Sequence, residues 1–289
     1  MHILQRIKRC LTRASSSTAV TEADSAGTSA WEPQVISNEI FRSRVRRIDY
    51  DLVVKSGQCV RENEAKALEL LADSAPDIPA PRLSYFRTFK PPNGIAAGDL
   101  FMSYIEGRTL RSVWPSLSEG IKQKVCKDIW DLIVKIRNVK RPPTLNPEAY
   151  YTTVDGSPFI HPLLGARNDP YPLLKDDQAL RDRIYERFVA CHGLSYADGK
   201  ELPRMLPHSN SSVFTHGDIH PGNILIDDEA RIVGLVDWES SGLLPDYGEY
   251  VWMMRPLLEC DDEWQSMMDS HRIQDWDITG IMKARRVLF

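Results

Sequence analysis

The sequence predicts an α+β chain of two lobes, a small β-rich N-terminal lobe over about residues 31–105 and a larger, mainly helical one over 106–289. Three observations carry this. Strand signals with one helix between them occupy the first stretch. From Ser116 onward, apolar residues recur at intervals of three and four. The length of 289 residues exceeds the ~100–150 residue mode of a single domain, which leaves room for two.

Composition narrows the class. Hydrophobic residues are 42% and charged residues 26%, the balance of a soluble globular protein. The net charge of −4 implies no general affinity for nucleic acid. No apolar run approaches the ~20 residues of a membrane helix. The five cysteines, Cys10, Cys59, Cys126, Cys191 and Cys260, are scattered, and none stands in a Cys-x-x-Cys pair. That argues against a disulfide framework and against a zinc site, so a reducing, cytoplasmic location is expected.

Residues 1–30 carry little pattern. Met1 to Arg13 is basic and free of acids, and Ser15 to Ala30 is rich in Ser, Thr and Ala, the composition of a disordered tail. A mitochondrial transit peptide is the alternative reading.

In the small lobe, Arg46 to Lys55 (RRIDYDLVVK) reads as one strand with Ile48, Tyr50 and Leu52 on one face. A helix follows from Arg61 to Ala72, with Ala65, Leu68 and Leu71 as its apolar stripe. Glu64 lies on that stripe, four residues before Leu68. A carboxylate on an apolar face needs a partner, and Lys55 is the natural candidate. Pro79 and Pro81 end this helix, and an extended segment runs to Phe89. A Pro-Pro-Asn-Gly turn then leads into the strand Leu100 to Ile105, LFMSYI.

In the large lobe, Ser116-Leu-Ser-Glu119 reads as a capping box. Ile121, Val125, Ile129, Ile133 and Ile136 form a core-facing stripe behind it. Residues 141–175, rich in Pro, Gly and Asn, form a long loop. Leu180, Ile184, Phe188 and Val189 mark a further helix ended by Gly193, and another, broken at Pro256, covers about Asp246 to Leu258.

The chemistry concentrates between Val213 and Glu239, VFTHGDIHPGNILIDDEARIVGLVDWE. A short strand enters a polar loop, and two apolar runs around Asp227-Asp228-Glu229-Ala230 form a β-hairpin. Antiparallel return brings Asn223, at the start of one strand, close to Asp237, at the end of the other. Asp218 stands in the loop just before. Two carboxylates and a carboxamide, all oxygen donors, suit Mg²⁺ and leave one group free to act as a base. Two plainer readings compete: a structural Asp-Gly turn, and a metal site made of the alternating His216, Asp218 and His220.

The order Asp218-x-x-x-x-Asn223, then a hairpin and Asp237, resembles a kinase catalytic loop and its metal-binding Asp. With His216-Gly217-Asp218 and Asp237-Trp238-Glu239, the wording is similar to the aminoglycoside phosphotransferase and choline kinase-like family of the protein-kinase-like fold, closest to its fungal members. The likeness covers roughly residues 45–255. It implies a small-molecule kinase that uses ATP and Mg²⁺, with Asp218 as catalytic base and Asn223 and Asp237 as metal ligands. Lys55, fixed by Glu64, would hold ATP phosphates. Met102, Ser103, Tyr104 and Ile105 would border the adenine.

One departure stands out: Glu39 to Arg47, where the family's nucleotide-covering loop belongs, has no glycine. No Gly-x-x-x-x-Gly-Lys-[Ser/Thr] occurs, which excludes a P-loop enzyme. A catalytically silent kinase-like binding protein and a protein kinase are the competing classes. The run Glu259, Asp261, Asp262 and Glu263 is either a solvated acidic turn or the border of an acceptor site for amine-bearing alcohols.

Overall fold

The computed structural model describes residues 33–38, 43–91, 94–165, 171–256 and 261–289. The tail 1–30, residues 39–42 of the glycine-free segment, and Glu259 of the acidic run lie outside the described residues. Backbone packing divides the chain into two units, Met1–Arg61 with Arg82–Tyr104, and Glu62–Pro81 with Ile105–Phe289.

The first unit is an antiparallel sheet of β1 (Gln34–Asn38), β2 (Arg44–Asp49), β3 (Leu52–Gly57), β4 (Leu83–Phe89) and β5 (Ala97–Ser103), in the order β1-β2-β3-β5-β4. The central β3 and β5 carry the buried side chains, and Ile48, Leu52, Val54 and Phe101 form its core cluster. The single strand expected from Arg46 to Lys55 is instead two, β2 and β3, joined by a turn at Tyr50–Asp51. The Asp49 carboxylate takes the Tyr50 N–H at 2.8 Å, a local bond that competes with the ladder, and Tyr50 is left 65% exposed rather than sharing the face of Ile48.

The second unit begins with α1 (Glu62–Ser74), the helix that the sequence reading set in the small lobe. It continues through β6 (Arg108–Thr109), α2 (Leu110–Val113), α3 (Glu119–Arg137), β7 (Thr152–Thr153), α4 (Asp177–Ala190), α5 (Leu202–Met205), β8 (Ser212–Thr215), β9 (Ile224–Ile226), β10 (Ile232–Leu235), β11 (Gly242–Pro245), α6 (Gly248–Met253), α7 (Asp262–Ser270) and α8 (Thr279–Leu288). Two three-stranded sheets, β10-β9-β6 and β7-β11-β8, flank the polar loop 216–223. Among the described residues no helix is long and apolar enough to cross a membrane.

The helix α3 anchors this unit. Val125, Ile129, Ile133 and Ile136 are fully buried, and the Trp130 indole N–H donates to the Met268 carbonyl at 2.9 Å, which ties α3 to α7. Ile121 departs from the expected stripe and is 38% exposed. Lys122 takes the inward place in that turn, held by Glu263 at 2.7 Å. The capping box does not form either. The N-cap is Ser118, without a side-chain bond, while the Ser116 hydroxyl donates to the Val113 carbonyl at 2.7 Å and closes the preceding turn.

Candidate active site

Strand pairing builds the site. In the hairpin, Ile224 faces Leu235 and Ile226 faces Ile232. One step further, the Val236 N–H donates to the Asn223 carbonyl at 2.9 Å, so Asn223 and Asp237 meet at the open end. The Asn223 amide donates to the Asp218 carbonyl at 3.0 Å and to its carboxylate Oδ2 at 3.2 Å. The three residues singled out by sequence spacing are therefore brought together within one unit.

Asp237 sits at φ 67°, ψ 66°, a left-handed conformation uncommon outside glycine. Its neighbour shows what holds it there. Trp238 is fully buried, donates its indole N–H to the Leu235 carbonyl at 2.8 Å, and stacks on Phe214 with 6.1 Å between ring centroids. Gly217 also needs its residue type. Its φ is 80°, and a Cβ there would overlap the Ser240 carbonyl oxygen.

The loop rests on buried polar groups. His216 Nδ1 accepts the Asp218 N–H at 3.1 Å, so its Nε2 carries the proton and donates to the Val236 carbonyl at 3.1 Å. Burial holds this imidazole neutral, with its pKa down at about 4. With both ring nitrogens committed, and His220 Nδ1 taken by the Gly222 N–H at 3.0 Å, the His216–Asp218–His220 metal reading fails. Below the loop, the buried Glu249 carboxylate accepts the N–H groups of His216 at 2.8 Å and Gly217 at 3.1 Å. Burial pushes that carboxyl up to about 7, against the pull of those bonds.

Asp218 is shaped by opposing forces. Burial pushes its pKa up to about 6; the Arg255 charge opposes this, and the Asp237 charge adds to it. Its two oxygens face different groups. Oδ2 takes Asn223 and lies 3.9 Å from His220 Nε2, while Oδ1 accepts from Arg255 Nη2. A carboxylate with a pKa near 6 is ionised at neutral pH and still able to take a proton, which suits a general base.

Next to it, carboxylate oxygens of Glu64, Asp237 and Glu239 lie within 4.8 Å of one another. These three carboxylates offer an oxygen-only donor set, the chemistry a hard divalent cation requires. Asn63 holds this segment in place. Its Nδ2 donates to the Glu239 and Ser241 carbonyls at 2.9 and 3.0 Å, and its Oδ1 accepts the Val154 N–H at 2.7 Å.

The remaining expected residues lie in the first unit or at its edge. Lys55 is 3% exposed on β3, in register with Val45 and Leu100. Met102, on β5, is buried between Val53 and Leu83. The N–H groups of Ser103 and Tyr104 are already bonded to the carbonyls of Arg82 and Asp51, both at 2.9 Å.

Within the acidic run, Asp262 and Glu263 are exposed, as a solvated turn would have them, whereas Asp261 is buried. Asp261 is held by Arg111 at 2.6 Å, and Glu263 by Lys122 and the Trp114 indole at 2.7 and 2.8 Å. The sequence reading missed Asn63, Glu249, Arg111 and Arg255. Asn63 had a signal, since it stands in one row with Ala67 and Leu71 on the buried side of α1. Arg255 had none.

Comparison with known proteins gives a family and a fold. The family model described as "Phosphotransferase enzyme family" matches residues 37–261. Similar solved structures include a thermostable mutant of aminoglycoside phosphotransferase APH(4)-Ia in apo form, at 13% identity and a TM-score of 0.60, over 88% of this chain and 84% of that one. The streptomycin–ATP ternary complex of APH(2″)-IIa is 11% identical with a TM-score of 0.54, over 89% and 81%. The GDP complex of aminoglycoside 2′-phosphotransferase-IIIa is 15% identical with a TM-score of 0.52, over 100% and 88%. At such identities the likeness is one of fold. No curated protein sequence matches the chain.

Proposed function

The chain belongs to the phosphotransferase enzyme family and has its protein-kinase-like α+β fold; from that premise we propose that it transfers the γ-phosphoryl group of Mg-ATP to a hydroxyl of a small molecule. The observation that carries this is the meeting of Asp218, Asn223 and Asp237 at the open end of the hairpin. Asp218 takes the proton of the acceptor hydroxyl. The hydroxyl oxygen forms a new bond to the γ-phosphorus as the bond to the bridging β,γ-oxygen breaks, and ADP leaves.

Asn223 and Asp237 are the proposed Mg²⁺ ligands, and the adjacent Glu239 fits the same oxygen-donor set. The metal supplies neutralisation of phosphate charge. Lys55 is proposed to hold phosphate oxygens. Met102 and the backbone of Ser103, Tyr104 and Ile105 are proposed to receive the adenine, with the Ile105 N–H as the donor. Arg111, whose Nη2 lies 3.2 Å from His220 Nδ1 and whose backbone N–H donates to the Pro221 carbonyl at 2.9 Å, and Glu249 act at a distance by fixing the loop that carries Asp218.

Calorimetric titration with Mg-ATP tests the reading. Wild type and Asp218→Asn bind, and Asp237→Ala loses the magnesium-dependent part. Equal magnesium-dependent binding by Asp237→Ala would remove that residue from the metal site, and no binding by the wild type would remove the function. GTP serves as the parallel arm, because solved relatives hold ATP in one case and GDP in another.

A further inference from the structure

The side of Asp218 turned away from Asn223 is cationic. Arg255 Nη2 donates to Asp218 Oδ1, and among the described residues this is the only hydrogen bond of its guanidinium. Its backbone is pinned, since the Gln265 amide donates to the Met253 and Arg255 carbonyls at 2.8 and 2.6 Å. The side chain is 27% exposed, so it is not sealed from solvent, and its guanidinium is bonded to the base.

A second guanidinium lies within electrostatic reach of it. Arg285 is 5% exposed, donates Nη1 to the Val251 carbonyl at 2.9 Å, and packs on the Trp252 ring at 4.9 Å. Its Nε and Nη2 are buried with no hydrogen-bond partner, and among the described residues no carboxylate pairs with it. It is close enough to Arg255 for that charge to weigh against its own. A buried cation with unsatisfied donors beside another cation calls for an anion.

Of the acidic run, Asp261 is paired with Arg111, and Glu263 with Lys122 and Trp114. A positively charged acceptor brought against Asp218 Oδ1 is therefore repelled by Arg255, which is bonded to that oxygen.

We infer that the acceptor is an anionic alcohol, a hydroxyl compound bearing a carboxylate or phosphate group that the Arg255 guanidinium binds. The inference rests on the phosphotransferase reading and gives that site a substrate class. Arg255 plays two parts in it. In the free protein it covers Asp218 Oδ1. When the acceptor's anionic group engages the guanidinium, Oδ1 is released to take the hydroxyl proton, so recognition of the charge and unmasking of the base are one event. A neutral or cationic alcohol leaves the base covered.

The test is a matched series on one skeleton: gluconate, glucose 6-phosphate, glucose and glucosamine, each assayed with γ-labelled Mg-ATP and each titrated onto the Mg-ATP complex by thermal shift. Gluconate and glucose 6-phosphate separate the carboxylate source from the phosphate source. At least one anionic member is expected to exceed glucose by ~10–100-fold in kcat/KM or affinity, the usual worth of a charge-assisted bond, with glucosamine weakest. Arg255→Gln abolishes that preference and Arg255→Lys restores part of it, with both variants checked for native melting. Preference for glucose or glucosamine, no anion-dependent stabilisation by either anionic member, or an equal loss for all four in Arg255→Gln overturns the inference. Failure of the wild type to bind Mg-ATP is a separate result, and it overturns the phosphotransferase reading instead.

Discussion

Replacing Gly217 by alanine separates two costs that the structure assigns to one residue. Gly217 has φ 80° and sits against the Ser240 carbonyl, whereas Gly94 has φ 75° and open space where a Cβ would stand. An alanine at Gly94 meets only the left-handed backbone penalty, about 1–2 kcal/mol. At Gly217 the overlap with a backbone oxygen adds roughly 1–3 kcal/mol, so the total is about 2–5 kcal/mol. The oxygen cannot swing aside, because Ser240 lies in the short turn tied down by Trp238 and by Asn63. The strain is relieved by moving the loop, and Asp218 moves with it. A shift of ~1 Å in a positioned group costs on the order of 10² in rate. Urea unfolding followed by circular dichroism gives the stabilities, and phosphoryl transfer gives the rate. Equal destabilisation of the two variants, or full activity in Gly217→Ala, would refute the reasoning.

Three further outcomes follow from the same geometry. Asp218 must be ionised to accept a proton, so log kcat/KM is expected to rise with unit slope up to about pH 6 and then level off; in Arg255→Gln the limb moves to higher pH, because an opposing cation is gone. Glu249 binds its proton more tightly in the folded state than in the unfolded one, so its contribution is greatest below about pH 4.5 and fades as pH rises to about 7; the stability difference between wild type and Glu249→Gln, measured across that window, should fall with pH, and a difference that grows contradicts it. Asn63→Ala removes the hydrogen bonds to two carbonyls and two N–H groups, at about 2–4 kcal/mol in total, and should weaken Mg-ATP binding by loosening the Asp237–Glu239 segment.

Much of this was written locally in the chain. The hairpin around Asp227–Ala230 fixes which residues meet at its open end, so the convergence of Asn223 and Asp237 could be read from turn chemistry alone. The stripe from Val125 to Ile136 was legible for the same reason, since helical spacing maps directly onto a buried face. The failures are places where a nearby polar group outbid the pattern. Asp49 broke one expected strand into two, and Lys122 displaced Ile121 from the core. Asp261 and Glu263 looked like free acids because their partners, Arg111 and Lys122, stand some 140–150 residues away in sequence. Arg255 and Glu249 were invisible for that reason too: each acts on the loop 216–218 across more than 30 residues, and nothing in their neighbours' spacing marks it.

The central claim is tested most directly by following the γ-phosphorus itself. Phosphorus NMR of Mg-ATP incubated with the protein and the four-member acceptor series should show the γ resonance replaced by that of a phosphate monoester. Asp218→Asn should slow this by ~10²–10⁴-fold while its Mg-ATP affinity is retained. An Asp218→Asn variant that transfers as fast as the wild type, or a wild type that binds Mg-ATP and forms no monoester with any member, would contradict the account.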